Sequence, residues 1–199
     1  MKMNNIMTAM ALSLVIGAVA QQANAADGTI NFTGEITKAS CVASAGNGTS
    51  IGGNTGSQEI NVKLGTVSTE TLSNSASLGI AAGAAINLNL DCGNTASEVT
   101  SVTMAFDPMS GSGVDTKNNS LLKTTGGATG VGIGVYDANS KLINLSANEG
   151  FTAALVKSGD GEEAKYTTNM NLRASYVANG DDLTPGSANG TLPFTLTYQ

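Results

Sequence analysis

The chain has 199 residues, no histidine, no tryptophan, few aromatic residues and a formal net charge of −6. Lacking histidine, it lacks the commonest general base and the commonest metal ligand. Its mild acidity and scattered lysines give no reason to expect nucleic acid or an anionic membrane as partner.

The first segment reads as an export signal. Lys2 opens it, an apolar run follows from Ile6 to Ala20, and Ala23-Asn24-Ala25 supplies the small-x-small pattern of a cleavage site. The uninterrupted apolar core is shorter than the roughly 20 residues of a membrane-spanning helix. The predicted division is a signal peptide over 1–25 and one domain over 26–199, a length that holds a sizeable core.

The new N-terminus alternates. Ile30, Phe32, Gly34 and Ile36 fall on one face of a predicted strand, with Thr29, Asn31, Thr33 and Glu35 on the other. Cys41 follows, and the second cysteine is Cys92. An even count in an exported protein points to a disulfide, which on the chain-entropy model stabilises the fold by about 4 kcal/mol. Two buried free thiols are the alternative.

The Gly-, Ser- and Asn-rich stretch 45–57 reads as an exposed loop. It contains Gly48-Thr49-Ser50-Ile51-Gly52, which matches the G-x-S-x-G nucleophile string. That string has meaning on a strand-to-helix turn with a histidine elsewhere. In a Gly- and Ser-rich chain without histidine, chance explains it.

Period-two stripes then recur. Ile60, Val62 and Leu64 form one; Ile86, Leu88, Leu90 and Cys92 form another. Between them, 66–85 is rich in Ser, Ala and Gly and suits a short helix or a long loop. Val102, Met104 and Phe106 make a strand that Asp107-Pro108 ends. Val131, Ile133 and Val135 alternate with Gly132, Gly134 and Tyr136, ahead of a turn at Asp137-Ala138-Asn139-Ser140. Met170, Leu172, Ala174 and Tyr176 form the next stripe. The C-terminus closes with Leu192, Phe194, Leu196 and Tyr198, alternating with Pro193, Thr195 and Thr197. Pro193 removes one N–H, which a strand tolerates at an edge or at its start.

Stripes that bury one face and wet the other, separated by turn residues and joined by one cystine, predict an all-β, immunoglobulin-like sandwich. Neither a phosphate-binding Gly loop nor a zinc-like cysteine spacing is present, and no pair of carboxylates is singled out. The expectation is a protein that is not an enzyme and needs no metal or cofactor.

The two ends, taken together, carry a resemblance. Gly28-Thr29-Ile30-Asn31-Phe32-Thr33-Gly34-Glu35-Ile36 ahead of the first cysteine resembles the N-terminal extension of the chaperone–usher fimbrial subunits, the type 1 pilin family. Pro193-Phe194-Thr195-Leu196-Thr197-Tyr198-Gln199 resembles that family's last strand, with the penultimate tyrosine. Gly186 fills the family's glycine ahead of that strand, and Asp91-Cys92-Gly93 also fits. The arm ahead of Gly28 is short, only Ala26-Asp27.

The resemblance implies an incomplete sandwich over 41–199 that lacks its final strand, with 26–40 as a donor-strand extension. A periplasmic chaperone would lend a strand first, and the arm of another copy or related subunit would then replace it at an outer-membrane usher. Arm and groove are different surfaces, so the contact is head-to-tail and builds a filament on the bacterial surface. Ile30, Phe32 and Ile36 would fill the groove, with Gly34 where the backbones approach closely. Gly186, Phe194, Leu196 and Tyr198 would form the groove edge and meet the chaperone. The implied role is a shaft subunit that supports adhesion. The alternative is a minor adaptor or tip-associated subunit that binds host glycans.

Overall fold

A computed structural model describes residues 28–35, 41–46, 49–54, 57–75, 83–94 and 96–199. The expected signal peptide and Ile36 lie outside these residues. The strands are β1 (Gly28–Glu35), β2 (Val42–Ala45), β3 (Thr49–Asn54), β4 (Ser57–Gly65), β5 (Gly83–Asp91), β6 (Ser101–Phe106) and β7 (Leu122–Lys123). They continue with β8 (Val131–Tyr136), β9 (Phe151–Ala154), β10 (Val156–Ser158), β11 (Lys165–Ala178), β12 (Gly190–Thr191) and β13 (Phe194–Tyr198).

These strands make two sheets. The first runs β3-β4-β1-β13-β6-β9, with β12 also paired to β1; the second runs β2-β5-β11-β8-β7, with β10 paired to β11. The stripes explain why they face each other. Ile60, Val62 and Leu64 of β4, Val102, Met104 and Phe106 of β6, and Phe194 and Leu196 of β13 are all buried. Ile86, Leu88 and Leu90 of β5 and Met170, Leu172 and Ala174 of β11 are buried too, in one cluster with them. Each large side chain removed from water contributes about 1.5–3 kcal/mol before the entropy of ordering is subtracted. The architecture is the expected immunoglobulin-like sandwich.

The cystine is formed, Cys41 to Cys92. It ties the start of β2 to the end of β5, where Val42 already pairs with Asp91. The segment after β4 resolves into a short helix, α1 (Thr69–Ser75). Ser68 starts it: its Oγ accepts from the Thr71 N–H at 3.1 Å. Leu72 anchors the helix in the core.

Two features depart from the alternation pattern. Part of the expected loop 45–57 is strand: β3 pairs with β4 from Thr49↔Val62 to Asn54↔Ser57. Ser50 therefore lies in a strand opposite Asn61, away from any strand-to-helix turn. In addition, all six residues of β8 are buried, not only Val131, Ile133 and Val135. The chain flanking β8 folds over its outer face: a Cβ on Gly134 would lie 2.9 Å from the Tyr136 ring and 3.1 Å from Leu142 Cδ1. A Cβ on Gly132 would lie 2.9 Å from Leu121 Cβ, so glycine alternates here because a second layer covers it.

Candidate assembly interface

The first sheet is continuous only through β1. In its strand order β4 and β13 are not neighbours; β1 lies between them. On one side β1 pairs antiparallel with β4, from Gly28↔Gly65 to Gly34↔Gln58. On the other it runs parallel to β12 and β13, with Ile30↔Gly190 and Gly34↔Phe194. Among the described residues every other strand pairing is antiparallel. The segment expected to serve a neighbour thus occupies its own chain's sheet when the chain stands alone.

The register sets one pair of the predicted residues side by side, Gly34 and Phe194. Ile30 is set opposite Val62 and Gly190, Phe32 opposite Ile60, and Gly34 opposite Gln58 and Phe194. Val62, Ile60, Gly190 and Phe194 are all buried. The expected groove edge lies at β13, beside β1. β13 pairs with β6 from Phe194↔Phe106 to Tyr198↔Val102, so one side of it is locked and the other faces β1. The chain end is fastened as well: Gln199 N–H donates to the Ser101 carbonyl at 3.0 Å, and its carbonyl accepts from the Ser101 N–H at 3.0 Å. Pro193 costs no ladder bond here, since it falls between β12 and β13, and its carbonyl accepts from the Asp107 N–H at 2.8 Å.

The predicted edge residues have distinct local reasons. Phe194 and Leu196 are buried in the core. Tyr198 is half-buried, and burial raises its phenol above the ordinary tyrosine value. Its hydroxyl has no hydrogen-bond partner among the described residues. Gly186 sits against another backbone: a Cβ there would lie 2.4 Å from the Gly127 carbonyl carbon and 2.5 Å from the Ala128 nitrogen. A side chain at 186 would push apart the loops that lead into the edge strand.

Sequence reasoning missed one residue of this edge. Tyr176, on the second sheet, donates from its hydroxyl to the Ala188 carbonyl at 2.7 Å, a buried bond that pins the entry to β12. The signal was a tyrosine on a stripe of otherwise apolar core positions, since a buried phenol needs a partner. Beside it, a cavity of about 350 Å³ opens where β1 begins. Gly65, the partner of Gly28, lines it with Leu72, Tyr176, Leu183 and Gly186.

Among the described residues no cluster of acidic or cysteine side chains is placed to hold a metal ion. Between β4 and β13 the sheet offers apolar side chains and backbone N–H and C=O groups, and in this structure β1 takes that place.

Comparison with known proteins gives the family. The family described as fimbrial protein matches residues 30–199. Long polar fimbria protein A of Salmonella typhimurium is 32% identical over 99% of this chain and 98% of its own length. The type-1 fimbrial protein subunit of Serratia marcescens is 31% identical over 94% of this chain and 95% of its own. The probable major fimbrial subunit LpfA of Escherichia coli O157:H7 is 31% identical over 95% and 93%. Over nearly its whole length, then, the chain belongs to the fimbrial protein family, as a chaperone–usher structural subunit of a surface fimbria rather than an enzyme.

Proposed function

We propose that the chain is a shaft subunit that polymerises by donating residues 26–40 to the groove of the next subunit. The observation that carries this reading is the dependence of the first sheet on β1. A terminal strand that closes a sheet can be replaced by the same strand from another copy, with the same kind of contacts formed between chains. Exchange in one direction leaves each subunit with one groove filled and one arm given away, so the contact never closes and a fibre grows. Ile30, Phe32 and Ile36 fill the groove, Gly34 permits close approach, and Phe194, Leu196 and Tyr198 form the receiving edge.

Until an arm arrives, the edges of β4 and β13 would be open, and open edges aggregate. A periplasmic chaperone that lends a strand, and an outer-membrane usher where strands are exchanged, complete the route from export to the cell surface. A relative of matching length named a probable major fimbrial subunit favours the shaft over an adaptor or tip role.

The test is deletion of residues 26–33, expressed with the cognate chaperone. The truncated chain should co-purify with the chaperone and form no fibres by electron microscopy. Truncated protein that still forms fibres would defeat the proposal.

A further inference from the structure

The outward face of the second sheet carries an arrangement that strand propensity does not explain. Asparagine is depleted in strands, yet the two central strands pair it with itself twice. Asn89 of β5 stands opposite Asn169 of β11, and Asn87 opposite Asn171. Asn89, Asn169 and Asn171 are exposed and Asn87 is half-buried. Opposite charges flank this lattice. Asp91 lies one row beyond it on β5, and Arg173 one row beyond the other end on β11. Arg173 is the chain's sole arginine, it is exposed, and among the described residues it forms no ion pair.

Such a face is complementary to itself. A two-fold axis across the strands, between the two asparagine rows, superposes the Asp91 end of one copy on the Arg173 end of the other. Each carboxamide offers a donor and an acceptor in one plane, so asparagine rows can bond to asparagine rows without a second residue type. Arginine's planar fork suits a carboxylate across an interface. We propose that this face is a lateral contact between fibres, in which two copies of the chain meet through the asparagine lattice with Arg173 of each paired to Asp91 of the partner subunit. This rests on the fibre-forming reading above.

Area decides at which level the contact operates. Strands about 4.8 Å apart and rows about 6.8 Å apart give a patch on the order of 300 Å² per copy. A stable pair of free subunits needs about 800 Å² from each partner. One contact is therefore too weak to hold two subunits, whereas a fibre repeats it along its length and gains by multivalency.

The experiment uses purified wild-type fibres, scored for side-by-side bundles by electron microscopy and by the fraction pelleted at low speed. Bundles should form at low ionic strength and disperse as salt rises. Asp91→Asn, which keeps an oxygen for the Gly93 N–H that Asp91 accepts at 2.9 Å, and Arg173→Gln should each lower the pelleted fraction by roughly tenfold. The double variant should be no worse than either single one, because both remove one interaction. Asn89→Thr with Asn169→Thr should also disperse the bundles while leaving thermal stability unchanged or higher, since threonine suits a strand better.

Wild-type fibres that stay single at every salt concentration would overturn the contact and leave the fibre reading standing. Absence of any fibre would overturn both. Single variants that bundle like wild type, or losses that multiply in the double variant, would refute the ion pair. Retention on a glycan-coated surface that requires Asn169, with bundling unaffected by the threonine variants, would reassign the face to sugar binding.

Discussion

At single positions, the C-terminal strands rest on a few closely confined groups. Tyr176 reaches from the second sheet to the Ala188 carbonyl. Tyr176→Phe leaves that carbonyl without its phenol partner and should cost about 1–3 kcal/mol, read from the midpoint of denaturant unfolding. Gly186→Val forces a side chain into the Gly127–Ala128 backbone and should cost about 1–3 kcal/mol by overpacking, with reduced recovery of the chaperone complex. Phe194→Asp places a carboxylate in the core and should prevent folding, so that soluble complex is lost. Tyr136 and Tyr198 add a pH signature. Burial raises both phenols above their ordinary value. Their contribution to stability is therefore complete below about pH 10 and is lost as pH rises through the folded-state values. Alkaline titration should unfold the wild type at lower pH than Tyr136→Phe with Tyr198→Phe. An equal midpoint would contradict the role of the two phenols. Of these positions, Phe194 and Tyr198 were legible as C-terminal alternation, and Gly186 only through the family resemblance. Tyr176 was legible only as a core stripe, because its partner carbonyl lies in a loop that alternation does not describe.

At the level of elements, long alternating runs were readable and short or doubly covered ones were not. β4, β5, β6, β11 and β13 each show one apolar face, and each buries it. β3 was hidden because Gly52, Gly53 and Asn54 read as loop, and only pairing with β4 holds them extended. β8 announced one face by its valines and isoleucine, but the flanking residues that cover its other face, Leu121 and Leu142, lie outside the strand's own alternation. β1 was readable as a strand, whereas its place in the chain's own sheet was not, because alternation carries no information about the partner. That placement yields a prediction for the isolated subunit. Removing residues 26–33 without a chaperone should turn a monomer into an aggregate, as the edges of β4 and β13 open. Adding a synthetic peptide of residues 26–40 should restore monomer, followed by size-exclusion chromatography. A truncated chain that stays monomeric without peptide would mean that the sheet closes by another route.

For the whole molecule, the cystine and the two-sheet core act together. The bond joins the start of β2, an edge strand of four residues, to the end of its interior neighbour β5. Reduction should lower stability by about 2–5 kcal/mol, measured as a fall in Tm under reductant. An unchanged Tm would show that β2 is held by its pairing alone.

The position of β1 also has a consequence in time. Its parallel partners, Gly190 to Thr195, lie at the far end of the chain, so this ladder has nearly the largest contact order the molecule can offer. The hairpin between β3 and β4 closes a few residues at a time, whereas β1 cannot find its second neighbour until the last residues have emerged. A chain threading into a new compartment from its N-terminus therefore presents its first strand long before the groove for it exists. During that interval the strand is open to any other completed groove nearby, and the groove, once formed, is open to any other strand. The order in which the chain arrives thus leaves a window for partner choice that no stability measurement on the finished subunit would reveal.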